Sequence, residues 1–267
     1  MELYYRKEGR GEPLIILHGL YGSSDNWLSV TKRLSQKFTV YVPDLRNHGR
    51  SPHSKTNSYE DLKNDLIEFM DRHKISQATL VGHSMGGKAA MFFAADYPER
   101  ISKLIIVDIA PKDYLLLNEN SQFFLHRNIL LAMLEIDFSQ VRSRKEVDYC
   151  LSEKIEDIRI RQFLLKNIIK DKGSKLLQWR INVETLYDYL DEIVAGVNRQ
   201  WLADRIPVTA YPVIFIKGDN SPYVQPEDEV LIKEIYPEAK IIHIPDAGHW
   251  LHAEQPDLFV KAVLSFA

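Results

Sequence analysis

Six short apolar runs rich in β-branched residues recur along the chain, at residues 14–17, 39–42, 79–81, 104–107, 213–216 and 241–244. Turn residues and then a helical pattern follow. Runs of this kind are strands buried on both faces, so the predicted fold class is α/β, a mostly parallel central sheet flanked by helices. Polar residues collect where the runs end: His18-Gly19, Pro43-Asp44, Gly82-His83-Ser84, Asp108, Gly218-Asp219 and, slightly later, Gly248-His249. Ligands bind at the carboxyl edge of open α/β sheets, and the chemistry is expected there.

The rhythm stops between residues 112 and 205. No strand-like run occurs in that stretch, and Phe123, Phe124, Ile129, Leu130, Met133 and Leu134 fall at helical spacing. The expected layout is one α/β core, residues 1–111 and 206–267, interrupted by a helical cap, or lid, at 112–205.

Hydrophobic residues make up 45% of the 267 and charged ones 27%, which excludes a disordered chain. The net charge of -3, from 34 basic and 37 acidic residues, offers no global field for nucleic acid. Cys150, the single cysteine, cannot form an internal disulfide and suits a reducing compartment. The start of the chain lacks the pattern of a signal peptide, and no apolar run reaches the roughly 20 residues of a membrane span. A soluble, cytoplasmic protein is expected.

Gly82-His83-Ser84-Met85-Gly86 matches G-x-S-x-G. The pattern alone would arise by chance in roughly one chain in ten of this length, so its setting carries the weight. It follows a strand and precedes a helix-like run, the strand, tight turn and helix that expose a serine as nucleophile. A serine hydroxyl needs a histidine to take its proton and a carboxylate to orient that histidine. His249, in a loop after the last strand, is the expected base, and His252 and His83 are its competitors. His252 is expected to pack or be solvated, and His83 to line the pocket.

Two carboxylates compete for the acid. Asp219 follows the strand after which most such enzymes place it, in a pattern resembling G-x-x-D, but it stands two residues early and Ser221 occupies the fourth position. Asp108 ends the preceding strand among apolar residues, where an unpaired charge would be costly and a dedicated partner is expected. Asp108 is the preferred acid and Asp219 the alternative. The backbone N–H groups of Met85 and Leu20 are the expected oxyanion donors. The polar run from Asp44 to Ser51 reads as a hydrogen-bonded loop bracing the floor of the site.

These segments, together with Asn220-Ser221-Pro222-Tyr223-Val224 and Gly248-His249-Trp250, resemble the α/β-hydrolase superfamily, specifically the YbfF-like bacterial esterases and their mitochondrial relatives. Arg161-Gln162-Phe163-Leu164-Leu165-Lys166-Asn167 and Trp179-Arg180-Ile181-Asn182-Val183 resemble that family's lid. The resemblance implies a triad of Ser84, Asp108 and His249, hydrolysis of acyl esters with acyl-coenzyme A thioesters as candidate substrates, and no metal or cofactor. Family members often carry glycine where Asp219 stands, so Asp219 is not a shared requirement.

The lid also bears a run of basic residues, Arg159, Arg161, Lys166, Lys170, Lys172, Lys175 and Arg180, against the single acid Asp171. Arg161 and Arg180, with His83 and Trp250, are therefore candidate pocket residues, the arginines for coenzyme A phosphates; the plainer reading is a solvated helix face. Two other functions stay open: a carbon–carbon hydrolase or lyase using the same triad, and a ligand sensor on a hydrolase scaffold.

Overall fold

The computed structural model describes residues 1–115, 121–196 and 204–267; the stretches 116–120 and 197–203 of the expected helical segment lie outside the described residues. Nine strands are described: β1 (Tyr5–Glu8), β2 (Glu12–Leu17), β3 (Phe38–Pro43), β4 (Ala78–His83), β5 (Ile101–Val107), β6 (Ile168–Lys170), β7 (Leu177–Trp179), β8 (Val213–Gly218) and β9 (Lys240–Ile244). Seven form one sheet in the order β1-β3-β2-β4-β5-β8-β9. All neighbours in it are parallel except β1 and β3.

Strand alternation divides the core between the two faces of this sheet. Leu14 and Ile16 pack on one face with Val81, Ile105 and Val107, under α1 (Leu28–Leu34) and the C-terminal helix Pro256–Phe266. Ile15 and Leu17 point the other way with Leu80 and Ile106, under α2 (Tyr59–Arg72) and α3 (Met85–Asp96). With both faces covered, only the two ends of the strands are left for a site.

The chain between β5 and β8 supplies α4 (Gln122–Leu134), α5 (Arg144–Ser152), α6 (Ile158–Leu165), α7 (Val183–Asp188) and α8 (Leu190–Val194). It also contains β6 and β7, an antiparallel pair pairing Ile168 with Trp179, which corrects the expectation that no strand occurs there. At three residues each, these strands are too short to display an alternating pattern. The return leg of this insertion is stitched to the core. Asn167 Nδ2 donates to the Tyr21 carbonyl at 2.8 Å, the Asn182 N–H to the Asn47 carbonyl at 2.9 Å, and the Tyr59 hydroxyl to the Ile193 carbonyl at 2.7 Å. Among the described residues, no helix is long and apolar enough to cross a membrane.

Candidate active site

Ser84 stands between β4 and α3 with φ 54° and ψ -120°. That conformation is costly for any residue with a Cβ and persists only where its surroundings enforce it. The Ser84 N–H donates to the Val107 carbonyl at 3.1 Å, and the Ser84 carbonyl accepts from Gly87 at 2.8 Å and Lys88 at 3.1 Å. Gly86 permits the turn to press against β2: a Cβ there would lie 2.4 Å from the Leu17 carbonyl oxygen. The serine is thereby held at the carboxyl edge of the sheet.

Asp108 follows β5, is 1% exposed and also has a positive φ, of 51°. Its Oδ1 accepts the Gly218 N–H at 3.0 Å, and its Oδ2 faces His249 Nδ1 at 2.7 Å. The Ser221 hydroxyl donates to the same Oδ2. The buried carboxylate therefore has the dedicated partner that its apolar neighbours demand. Asp219 does not approach His249: it pairs with His243 Nδ1 at 2.8 Å, with its side chain 43% exposed. Sequence reasoning missed the part played by Ser221, although the signal was its place in G-x-x-D.

His249 is fixed on two further sides. Its carbonyl accepts from His83 Nε2 at 2.8 Å, and its ring stacks on Tyr223 at 3.8 Å and 15°. Burial pushes His83 well below the usual histidine range, which suits a neutral donor. Ser84 and His249 line the same cleft, and no hydrogen bond joins their side chains in this state. Such contacts commonly tighten only when substrate binds.

The oxyanion candidates are set by a histidine tautomer. His18 Nε2 accepts from the Leu45 N–H at 2.9 Å, so its proton lies on Nδ1, which donates to the Gly19 carbonyl at 2.9 Å. Gly22 donates to the same carbonyl at 3.0 Å. In a planar trans peptide the next N–H, that of Leu20, points the opposite way. Burial pushes His18 down to about 4, so this tautomer holds across neutral pH. Among the described residues, neither the Leu20 N–H nor the Met85 N–H donates within the protein. The loop beneath is braced by hydrogen bonds: Asp44 accepts from the Ser24 N–H at 2.6 Å and the Arg50 N–H at 2.8 Å, and Arg46 grips Asp65 with two nitrogens.

The cleft has a volume of about 500 Å³. His83 and Trp250 line it, as does His252, which is buried and stacked flat on Trp27 at 4.0 Å. Arg161 and Arg180 do not, a correction to the expected phosphate clamp. Arg161 Nε bonds Asp148 at 2.9 Å and its Nη1 the Ile155 and Glu156 carbonyls, while Arg180 pairs with Asp25 at 3.2 Å. Arg159 does line the cleft, paired with Asp157 at 2.9 Å. Sequence reasoning also passed over His126 of α4. It bridges the Tyr223 hydroxyl at 3.0 Å and the Tyr21 hydroxyl at 3.3 Å, and burial lowers it to about 3. Its signal was a histidine within the stripe of Gln122, Leu125 and Ile129, one face of a helix.

A model of the alpha/beta hydrolase fold matches residues 12–146. The chain belongs to the α/β-hydrolase fold family. Within that family, this hydrolase is 37% identical over 255 residues to the sn-1-specific diacylglycerol lipase ABHD11 of Mus musculus, covering 95% of this chain and 80% of that one. It is 34% identical to Esterase YbfF of Escherichia coli K12 over 260 residues, 97% of this chain and 94% of the relative. Among solved structures, a marine microorganism esterase superposes with a TM-score of 0.93 at 44% identity, covering 100% of this hydrolase and 99% of that chain.

Proposed function

We propose that this hydrolase cleaves carboxylic esters of small molecules through an acyl-enzyme on Ser84, with His249 as base, Asp108 as its acid partner, and the Leu20 and Met85 N–H groups binding the oxyanion. The observation that carries this reading is the meeting, in one cleft, of a serine on a strained turn and a histidine bonded to a buried carboxylate. The esterase and lipase names of the relatives support it.

With its Nδ1 proton donated to Asp108, His249 keeps the Nε2 lone pair for the proton that Ser84 loses on attack. The carbonyl oxygen gathers charge opposite two fixed N–H dipoles, whose orientation needs no adjustment as the charge forms. The tetrahedral adduct collapses when His249 gives that proton to the departing alcohol. Water, deprotonated by the same histidine, then releases the acid.

The insertion between β5 and β8 acts in this scheme as a lid, since α4 and α6 bring Leu125, His126, Ile160 and Phe163 to the cleft wall. A coenzyme A thioester would suit the same chemistry, but the ion pairs of Arg161 and Arg180 remove the charge argument that favoured it. The test is fluorophosphonate labelling and phenyl-ester hydrolysis with the parent and Ser84→Ala. Loss of both in the variant, with unchanged circular dichroism, is expected; hydrolysis retained by Ser84→Ala rejects the assignment. One slow turnover leaving a persistent adduct would mark a ligand sensor instead.

A further inference from the structure

Ser84 stands at the junction of two spaces of very different size. Outward lies the cleft of about 500 Å³. Inward lies a pocket of about 20 Å³, reached past Leu20, Gln122, His126 and Tyr223, which line both. Its deeper wall consists of Met85, Lys88, Ile109, Tyr114, Ile193 and Val194, all buried.

The polar groups of that wall are already engaged. Lys88 Nζ donates to the Val194 carbonyl at 2.8 Å and to the Ala195 carbonyl, over the face of the Tyr114 ring. The Tyr114 hydroxyl donates to the Tyr223 carbonyl at 2.6 Å and accepts from the Ala110 N–H at 2.9 Å. What remains for a ligand is the apolar surface of Met85, Ile109, Ile193 and Val194. The pocket fits a small hydrocarbon group, and among the described residues the one buried side-chain polar atom of its lining without a partner, Gln122 Oε1, stands at the mouth shared with the cleft.

Two chemical requirements decide which half of an ester enters it, and both rest on the acyl-enzyme reading above. His249 must hand its proton to the leaving oxygen, and His249 lines the cleft but not the inner pocket. The alcohol also departs while the acyl group is still bonded to Ser84, so an alcohol seated inward would be trapped behind the acyl-enzyme. The part seated inward must be the part that stays. A volume near 20 Å³ is little more than the roughly 10–15 Å³ that a single water needs, enough for one or two carbons beyond the carbonyl. We infer that the inner pocket is the acyl subsite and limits this hydrolase to short acyl groups, acetyl and propionyl, while the cleft accepts a bulky alcohol.

The test measures kcat/KM for 1-naphthyl acetate, propionate, butyrate and octanoate, below micelle-forming concentrations, with the parent, Ile193→Ala and Val194→Ala. Two variants are used so that one that folds poorly leaves the other to decide. The parent should favour acetate or propionate over octanoate by at least about tenfold, and at least one variant should raise the octanoate-to-acetate ratio about tenfold by removing side-chain carbons from the wall. Octanoate hydrolysed as well as acetate by the parent would overturn the inference and leave the esterase reading intact. A parent preference for acetate that neither folded variant shifts would also overturn it, since the acyl group would then lie elsewhere. No hydrolysis of any member, with no fluorophosphonate label on Ser84, would reject the esterase reading itself.

Discussion

Asp108 and Asp219 follow neighbouring strands, yet one is buried against His249 and the other is exposed beside His243. Asp108→Asn should lower kcat by about 10³- to 10⁴-fold by disturbing the histidine tautomer. Asp219→Asn should stay within about twofold, because a screened surface pair is worth little. Steady-state rates with one phenyl ester check both, and a larger loss from Asp219→Asn would reverse the assignment. Ser84 carries its own trade-off: Ser84→Gly should be inactive yet about 1–2 kcal/mol more stable than Ser84→Ala, since glycine alone relaxes at φ 54°. Urea melts of the two variants decide this. That Asp108 faces His249 is legible in the sequence, because a carboxylate in an apolar run must find a partner. The fate of Arg161 and Arg180 is not legible from a count of charges between Arg159 and Arg180, because their partners Asp148 and Asp25 lie outside that stretch, 13 and 155 residues away along the chain.

Among the elements, β2, β3, β4, β5 and β8, buried on both faces, show in the sequence because such strands are continuous apolar runs, and the edge strand β9 shows through Ile241, Ile242 and Ile244 although it is partly exposed. Strand β1, Tyr5-Arg6-Lys7-Glu8, escapes because it is an exposed edge, where charges guard the open hydrogen-bonding groups and no apolar run develops. The turn from β4 into α3 shows because its glycines are needed sterically. Gly86→Ala would set a Cβ against the carbonyls of Leu17 and His18, backbone atoms that cannot swing aside. It should lower Tm by about 10 °C or more, or prevent folding. Gly173→Ala, whose nearest neighbour would be an Asp171 oxygen at 3.5 Å, should shift Tm by no more than about 2 °C. Calorimetry on the pair separates a steric demand from a general cost of replacing glycine.

For the molecule as a whole, burial holds His18 at about 4 and His48, His126 and His252 at about 3. The unfolded chain takes up protons on these rings near pH 6.5, and the folded one does not until far lower. Their contribution is therefore complete above about pH 6.5 and is lost as pH falls toward 4 and 3, each ring costing roughly 1–2 kcal/mol by pH 5. Urea midpoints should fall steadily from pH 7 to pH 5; a flat profile would show that these rings are not held neutral. The return leg of the insertion bonds to Tyr21 and Asn47, in the loops after β2 and β3, while α4 and α6 bring side chains to the wall of the cleft. Selection can thus rewrite the α4 and α6 side chains that face the cleft while leaving untouched the stitches of the return leg, and descendants of this chain can change what the cleft admits without rebuilding the loops beside Ser84.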